Sequence, residues 1–202
     1  MKIRPAAMAA LTLTALLALS GCVVTTGSDD GMDGMDHGSG SSAPADANTE
    51  DIMFAAMMIE HHEQAVEMSD TILSKEGIDE RVVSLAEEIK AAQEPEIQTM
   101  DQWLEEWDAG MGGMGGMGGM GGMDHGDGMM SDEDMQALYD ATGAEASRLF
   151  LEQMIEHHEG AIDMAQDEVD DGKNSDAVAL AETIIATQTT EIATMKEILA
   201  TL

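Results

Sequence analysis

The chain has 202 residues, with 41 Asp plus Glu against eight Lys plus Arg, and a formal net charge of −33. It holds 20 Met and 21 Gly, a single Cys, and only Phe54, Trp103, Trp107, Tyr139 and Phe150 as aromatics. That balance argues against nucleic-acid binding, which needs a basic surface and stacking rings. It also argues against attraction to an anionic membrane surface and against a disulfide-stapled scaffold.

At the N-terminus, Lys2 and Arg4 precede an apolar run from Ala6 to Leu19. At about 1.5 Å per residue the run is too short to span a bilayer, but it suits the apolar part of an export signal. It ends in Leu19-Ser20-Gly21-Cys22, which is similar to the bacterial lipobox, where cleavage precedes a Cys that is then lipidated. The expectation is a leader over 1–21, a lipid on Cys22, and an extracytoplasmic protein held to the membrane by acyl chains. A plain secretory signal with an incidental Cys is the alternative. Residues 22–48 are rich in Gly, Ser, Asp and Ala without apolar periodicity and read as a flexible tether carrying Met32, Met35 and His37.

Residues 49–108 read as a helical hairpin. Asp51, Phe54, Met58, His61, Ala65, Met68 and Ile72 recur at steps of three and four, the stripe of an amphipathic helix. Lys75-Glu76-Gly77 predicts its end, with a cation in the last turn and Gly at the cap. The second helix carries Val82, Ala86, Ile89, Gln93, Met100, Leu104 and Trp107 on one side, with a kink expected at Pro95. Residues 109–131 form a Gly/Met-rich loop in which Met111, Met114, Met117, Met120 and Met123 are each separated by Gly-Gly, followed by Asp124-His125 and Met129-Met130. So much Gly precludes a stable helix, because each costs about 1 kcal/mol relative to Ala. Ser131 to Asp134 has the spacing of a capping box and opens a second hairpin over 132–202.

The hairpins are copies. Phe54-Ala-Ala-Met-Met-Ile-Glu-His-His-Glu-Gln-Ala-Val-Glu-Met68 aligns with Phe150-Leu-Glu-Gln-Met-Ile-Glu-His-His-Glu-Gly-Ala-Ile-Asp-Met164. Gln93, Glu96-Ile97 and Met100 align with Gln188, Glu191-Ile192 and Met195. Two hairpins with one apolar stripe each can hide those stripes against one another, so the expected fold is all-α, a four-helix bundle.

A step of about 100° per residue places Met58, His61, Ala65 and Met68 on one face, with His62 at its edge. The partner helix offers Gln93, Glu96 and Met100, so imidazoles, thioethers, an amide and a carboxylate converge on one seam in each repeat. Packing is the bland alternative for any single Met, but a His-His pair repeated in both halves is better explained by metal binding. Thioethers disfavour hard ions and favour Cu(I), with Ag(I) alike. The di-iron pattern Glu-x-x-His fails, since Met58, Ile59, Met154 and Ile155 precede the histidines by three. The zinc pattern His-Glu-x-x-His fails at Val66 and Ile162. The candidate donors are therefore Met58, His61, His62, Met68 and Met100, their counterparts Met154, His157, His158, Met164 and Met195, and the loop residues Met111, Met114, Met117, Met120, Met123 and His125.

Phe-x-x-x-Met-Ile-x-His-His-x-x-Ala-x-x-Met, followed by a Leu-Ala…Gln-x-x-Glu-Ile-x-x-Met helix, resembles the domain-of-unknown-function family 305 over about 50–107 and 132–202. The resemblance implies a ferritin-like four-helix bundle and extracytoplasmic copper binding in copper tolerance, with Met58, His61, His62, Met68 and Met154, His157, His158, Met164 as its site residues. One departure stands out: the family often has Asp three residues before the Phe, which Asp51 keeps and Ser147 replaces. If that Asp supports the site, the halves bind differently. The resulting expectation is a non-enzymatic, lipid-anchored protein that buffers Cu(I) or passes it to an exporter or oxidase. A metallo-oxidase and a surface interaction module without metal are the alternatives.

Overall fold

The computed structural model describes residues 46–107 and 128–202. The expected leader, Cys22, Met32, Met35, His37, the five Gly-Gly-spaced methionines and His125 lie outside the described residues. Within them the chain is helical, with α1 over Thr49–Leu73, α2 over Glu80–Glu106, α3 over Asp132–Asp140, α4 over Gly143–Asp171 and α5 over Ser175–Leu199. No described helix is long and apolar enough to cross a membrane.

Four long helices match the bundle expectation; the short α3 does not come from the repeat. It starts at the capping box expected there, with the Ser131 hydroxyl accepting from the Asp134 backbone N–H and the Asp134 carboxylate accepting in return. It stops at Ala141, and Gly143, at φ +58°, restarts the chain as α4. The first helix also ends earlier than its sequence implies. α1 closes at Leu73, so Lys75 lies beyond it and extends its ammonium to the carbonyls of Tyr139 and Ala141, at 2.6 and 2.9 Å. The cation thus serves the C-terminal carbonyls of α3, where the helix dipole favours it, rather than those of its own helix. α2 runs unbroken through Pro95.

α1 buries Phe54, Met58, His61, Ala65, Met68 and Ile72, and α4 buries Phe150, Met154, His157 and Ala161. Each first helix packs along its own second helix, and the hairpins meet chiefly through α1 and α4. The apolar interior falls into two clusters. One joins the C-terminal half of α1 to the N-terminal half of α4, and includes Met68, Phe150, Met154 and Met195. The other joins the opposite halves, and includes Phe54, Met58, Met100 and Ala161. α1 and α4 are therefore antiparallel, and the tandem histidines fall between the clusters.

The repeat departure at Asp51 and Ser147 acts at the hairpin turns. Asp51 is buried and accepts from the backbone N–H groups of Asn48, Lys173 and Asn174, the last two at 2.9 and 2.8 Å. Burial works against its ionisation, but these donors outweigh it and hold the carboxyl below its ordinary value. Ser147 takes the equivalent place, accepting from the Asp79 N–H at the start of α2. Each first helix thus ties down the turn of the opposite hairpin. Ten residues separate Asp51 from His61, about 15 Å along a helix, so Asp51 supports the fold rather than the histidines. Beside it Glu168 is fully buried; burial first, then Asp51 and the charge of Glu50, raise its pKa to about 8.

Candidate metal centre

His61 of α1 and His157 of α4 meet at the hairpin interface with ring centroids 3.7 Å apart and planes tilted by 42°. Both are essentially removed from solvent, and neither ring nitrogen of either residue has a hydrogen-bond partner. Burial first, then the nearby His62 and His158, lowers the His61 pKa to about 3. Burial first, and then His61, lowers that of His157 well below its ordinary value. Both rings are therefore neutral near pH 7 and keep a lone pair to donate.

His62 and His158 flank this pair and are also fully buried. Nε2 of His62 lies 2.8 Å from Oε2 of Glu96, and Nε2 of His158 lies 2.7 Å from Oε2 of Glu191. Their Nδ1 atoms have no partner. One turn before each glutamate, Gln93 and Gln188 are buried with their carbonyl oxygens unpartnered. An unmatched buried polar atom costs about 1–3 kcal/mol. Six orphaned imidazole nitrogens in one layer are therefore an expensive way to fill a core, and they fit a soft or borderline metal ion as the missing partner.

The methionines differ in their helical step from these residues and in burial. Met58 and Met154 precede their histidines by one turn, Met100 and Met195 follow Glu96 and Glu191 by four residues, and all four are fully buried. Met68 and Met164 lie two turns beyond His61 and His157; Met68 is fully buried and Met164 only partly. Among the described residues no three His, Cys, Asp or Glu side chains converge as a metal-holding group. The buried thioethers beside the histidines are further donors, of the type that soft ions prefer.

A further feature escapes the sequence. The segment read as loop through Met130 is packed on the bundle at its end. Gln64 and Met130 exchange two hydrogen bonds: Gln64 Nε2 donates to the Met130 carbonyl at 2.9 Å, and the Met130 N–H donates to Gln64 Oε1 at 2.7 Å. The Met130 side chain joins the cluster containing Met68, Met154 and Met195. Gly128, at φ +95°, approaches α4 so closely that a Cβ would sit 2.8 Å from the Glu156 carbonyl and 2.9 Å from Gly160 Cα. Gln64 and Gly160 are the one Gln/Gly mismatch between the tandem-His segments. That mismatch gives the strap an amide clamp on α1 and a bare backbone on α4, each within three residues of a His pair.

Solved structures similar to this chain carry the same fold. A DUF305 protein from Streptomyces coelicolor is 32% identical, with a TM-score of 0.66 over 78% of this chain and 94% of that one. A DUF305 fragment from Deinococcus radiodurans is 27% identical, with a TM-score of 0.64 over 77% and 99% of the two chains. CopM in its Cu(II)-bound form is 30% identical, with a TM-score of 0.62 over 74% and 95%. CopM structures with Cu(I) and with Ag also match, at TM-scores of 0.57 and 0.56. No curated protein matches the chain. The model of the family described as domain of unknown function 305 matches residues 51–199, and the chain belongs to that family.

Proposed function

We propose that this protein binds and buffers Cu(I), and alternatively Ag(I), through the histidine layer and its flanking methionines, without catalysing a reaction. The single observation that carries the reading is the set of six unpartnered, buried imidazole nitrogens at the hairpin interface. Neutral imidazoles and thioethers are the donors that soft monovalent ions prefer. The similarity to CopM, whose structures hold Cu(II), Cu(I) and Ag, supports the same class of ligand. The leader with its lipobox-like end supports an extracytoplasmic protein anchored through Cys22, where free copper would be lowered or passed to an exporter or oxidase.

In this reading the bundle holds the tight sites. The buried histidines are pre-organised by helix packing, so metal entry does not have to order a flexible chain. Met111, Met114, Met117, Met120, Met123 and His125 add capacity at high local concentration. Anaerobic titration of the full chain with Cu(I) against a competing chelator tests the proposal, with Ca(II) titrated in parallel at high salt. Tight Cu(I) binding with negligible Ca(II) binding is expected, since salt screens the diffuse attraction of the acidic surface. Equal affinities for the two ions would refute the copper reading.

A further inference from the structure

We infer that Glu96 and Glu191 are positioning residues: each fixes its histidine so that Nδ1 is the ligating atom, and each supplies negative charge that offsets a bound soft cation. The inference rests on the soft-metal function proposed above and adds which atom binds and what offsets the metal's charge.

The geometry is the same in both repeats. A carboxylate can only accept a hydrogen bond, so at 2.8 and 2.7 Å the Nε2 atoms of His62 and His158 carry the proton and donate it to Glu96 and Glu191. In a neutral imidazole the other nitrogen then holds the lone pair. That nitrogen, Nδ1, is buried and unpartnered in both residues. The carboxylates hold the rings in orientation, as such partners do behind metal-bound histidines. Both glutamates remain near solvent, with side chains 18% and 14% exposed, while the histidine side chains are fully buried. The charge therefore sits at the edge of the bundle, one hydrogen-bonded ring away from the interior.

The second role follows from charge. Imidazoles and thioethers are neutral, so Cu(I) or Ag(I) held by them leaves one positive charge in a low-dielectric core, which is costly unless paired. The Glu96 and Glu191 carboxylates, one per hairpin, lie close enough to offset it.

Long-range 1H–15N spectra of the full chain test the first role without any mutation. In metal-free protein, Nε2 of His62 and His158 is expected to carry the proton. Adding Ag(I) is expected to shift Nδ1 of both residues as it becomes a ligand. Protonated Nδ1, or a metal-induced change at Nε2 instead, would overturn the assignment. The second role is tested with Glu96→Gln/Glu191→Gln, in which the amide oxygen can still accept the Nε2 proton but the charge is gone. Its tautomers are expected to match the parent's, while Cu(I) affinity falls about 10–100-fold. Parental affinity would overturn the charge role. A parent chain that bound neither Cu(I) nor Ag(I) would overturn the proposed function itself, and the tautomer spectra would still show whether the glutamates orient the rings.

Discussion

Replacing His61 and His157 together with Leu is expected to stabilise the metal-free bundle while removing its tight copper binding. The two rings touch at the hairpin interface, and their four nitrogens have no partner. At the low end of about 1 kcal/mol per unmatched buried polar atom, the pair forfeits about 4 kcal/mol. Leu is close to His in volume, and repacking after such a swap costs about 1–2 kcal/mol. The net gain is about 2–3 kcal/mol, or roughly 4–12 °C in thermal midpoint at this chain length. Thermal unfolding followed by circular dichroism, with chelator present, reads this directly, and repeating it with Cu(I) shows whether the metal still raises the midpoint. The reasoning fails if the metal-free variant melts below the parent, because the rings would then be contributing to the core. It fails equally if Cu(I) stabilises the variant as much as the parent.

Four further outcomes are expected. In the metal-free protein, buried His61 and His157 make stability fall as pH drops. Between the unfolded-state value near 6.5 and about 3 the unfolded chain takes up protons that folded His61 refuses, worth up to about 1.4 kcal/mol per pH unit for one group. Glu168 acts in the opposite sense: its folded pKa of about 8 means that stability is lost as pH rises from about 4.5 to 8, and Glu168→Gln removes that limb in unfolding experiments across pH. Gly128→Ala is expected to cost about 1–3 kcal/mol in denaturant unfolding, since the residue combines φ +95° with a Cβ clash on the Glu156 carbonyl; an unchanged midpoint would show that the strap does not hold. Replacing Met111, Met114, Met117, Met120 and Met123 with Ser is expected to lower the number of Cu(I) bound and slow loading at low copper. The tightest affinity should be unchanged, and loss of the tightest site would make the loop primary.

Periodicity carried most of the architecture. The α1 stripe from Phe54 to Ile72 is the face that becomes buried, and the repeat foreshadows a pseudo-symmetric pair of hairpins. What periodicity misses is long-range and one-sided. Nothing local to Lys75 says that its ammonium serves α3, because the carbonyls it reaches are more than 60 residues away in sequence. The Asp51 and Ser147 pair looked like a difference in the site, yet each residue holds the opposite hairpin's turn. The orientation of His62 and His158 toward the glutamates depends on how neighbouring helices are rotated, which a single-helix projection cannot supply. Met130 belongs by composition with the Gly-rich segment, although its burial follows from the Gln64 clamp on α1. The Gln64/Gly160 mismatch was the available sequence signal for that contact, visible only when the two copies are compared residue by residue.

X-ray absorption of the full chain carrying those five Met→Ser replacements in the loop, loaded anaerobically with Cu(I), tests the central claim most directly. With the Gly-Gly-spaced thioethers gone, the account predicts a copper shell of imidazole nitrogen plus thioether sulfur, both drawn from the bundle. A shell of oxygen donors alone, or a protein that holds no Cu(I), would contradict it.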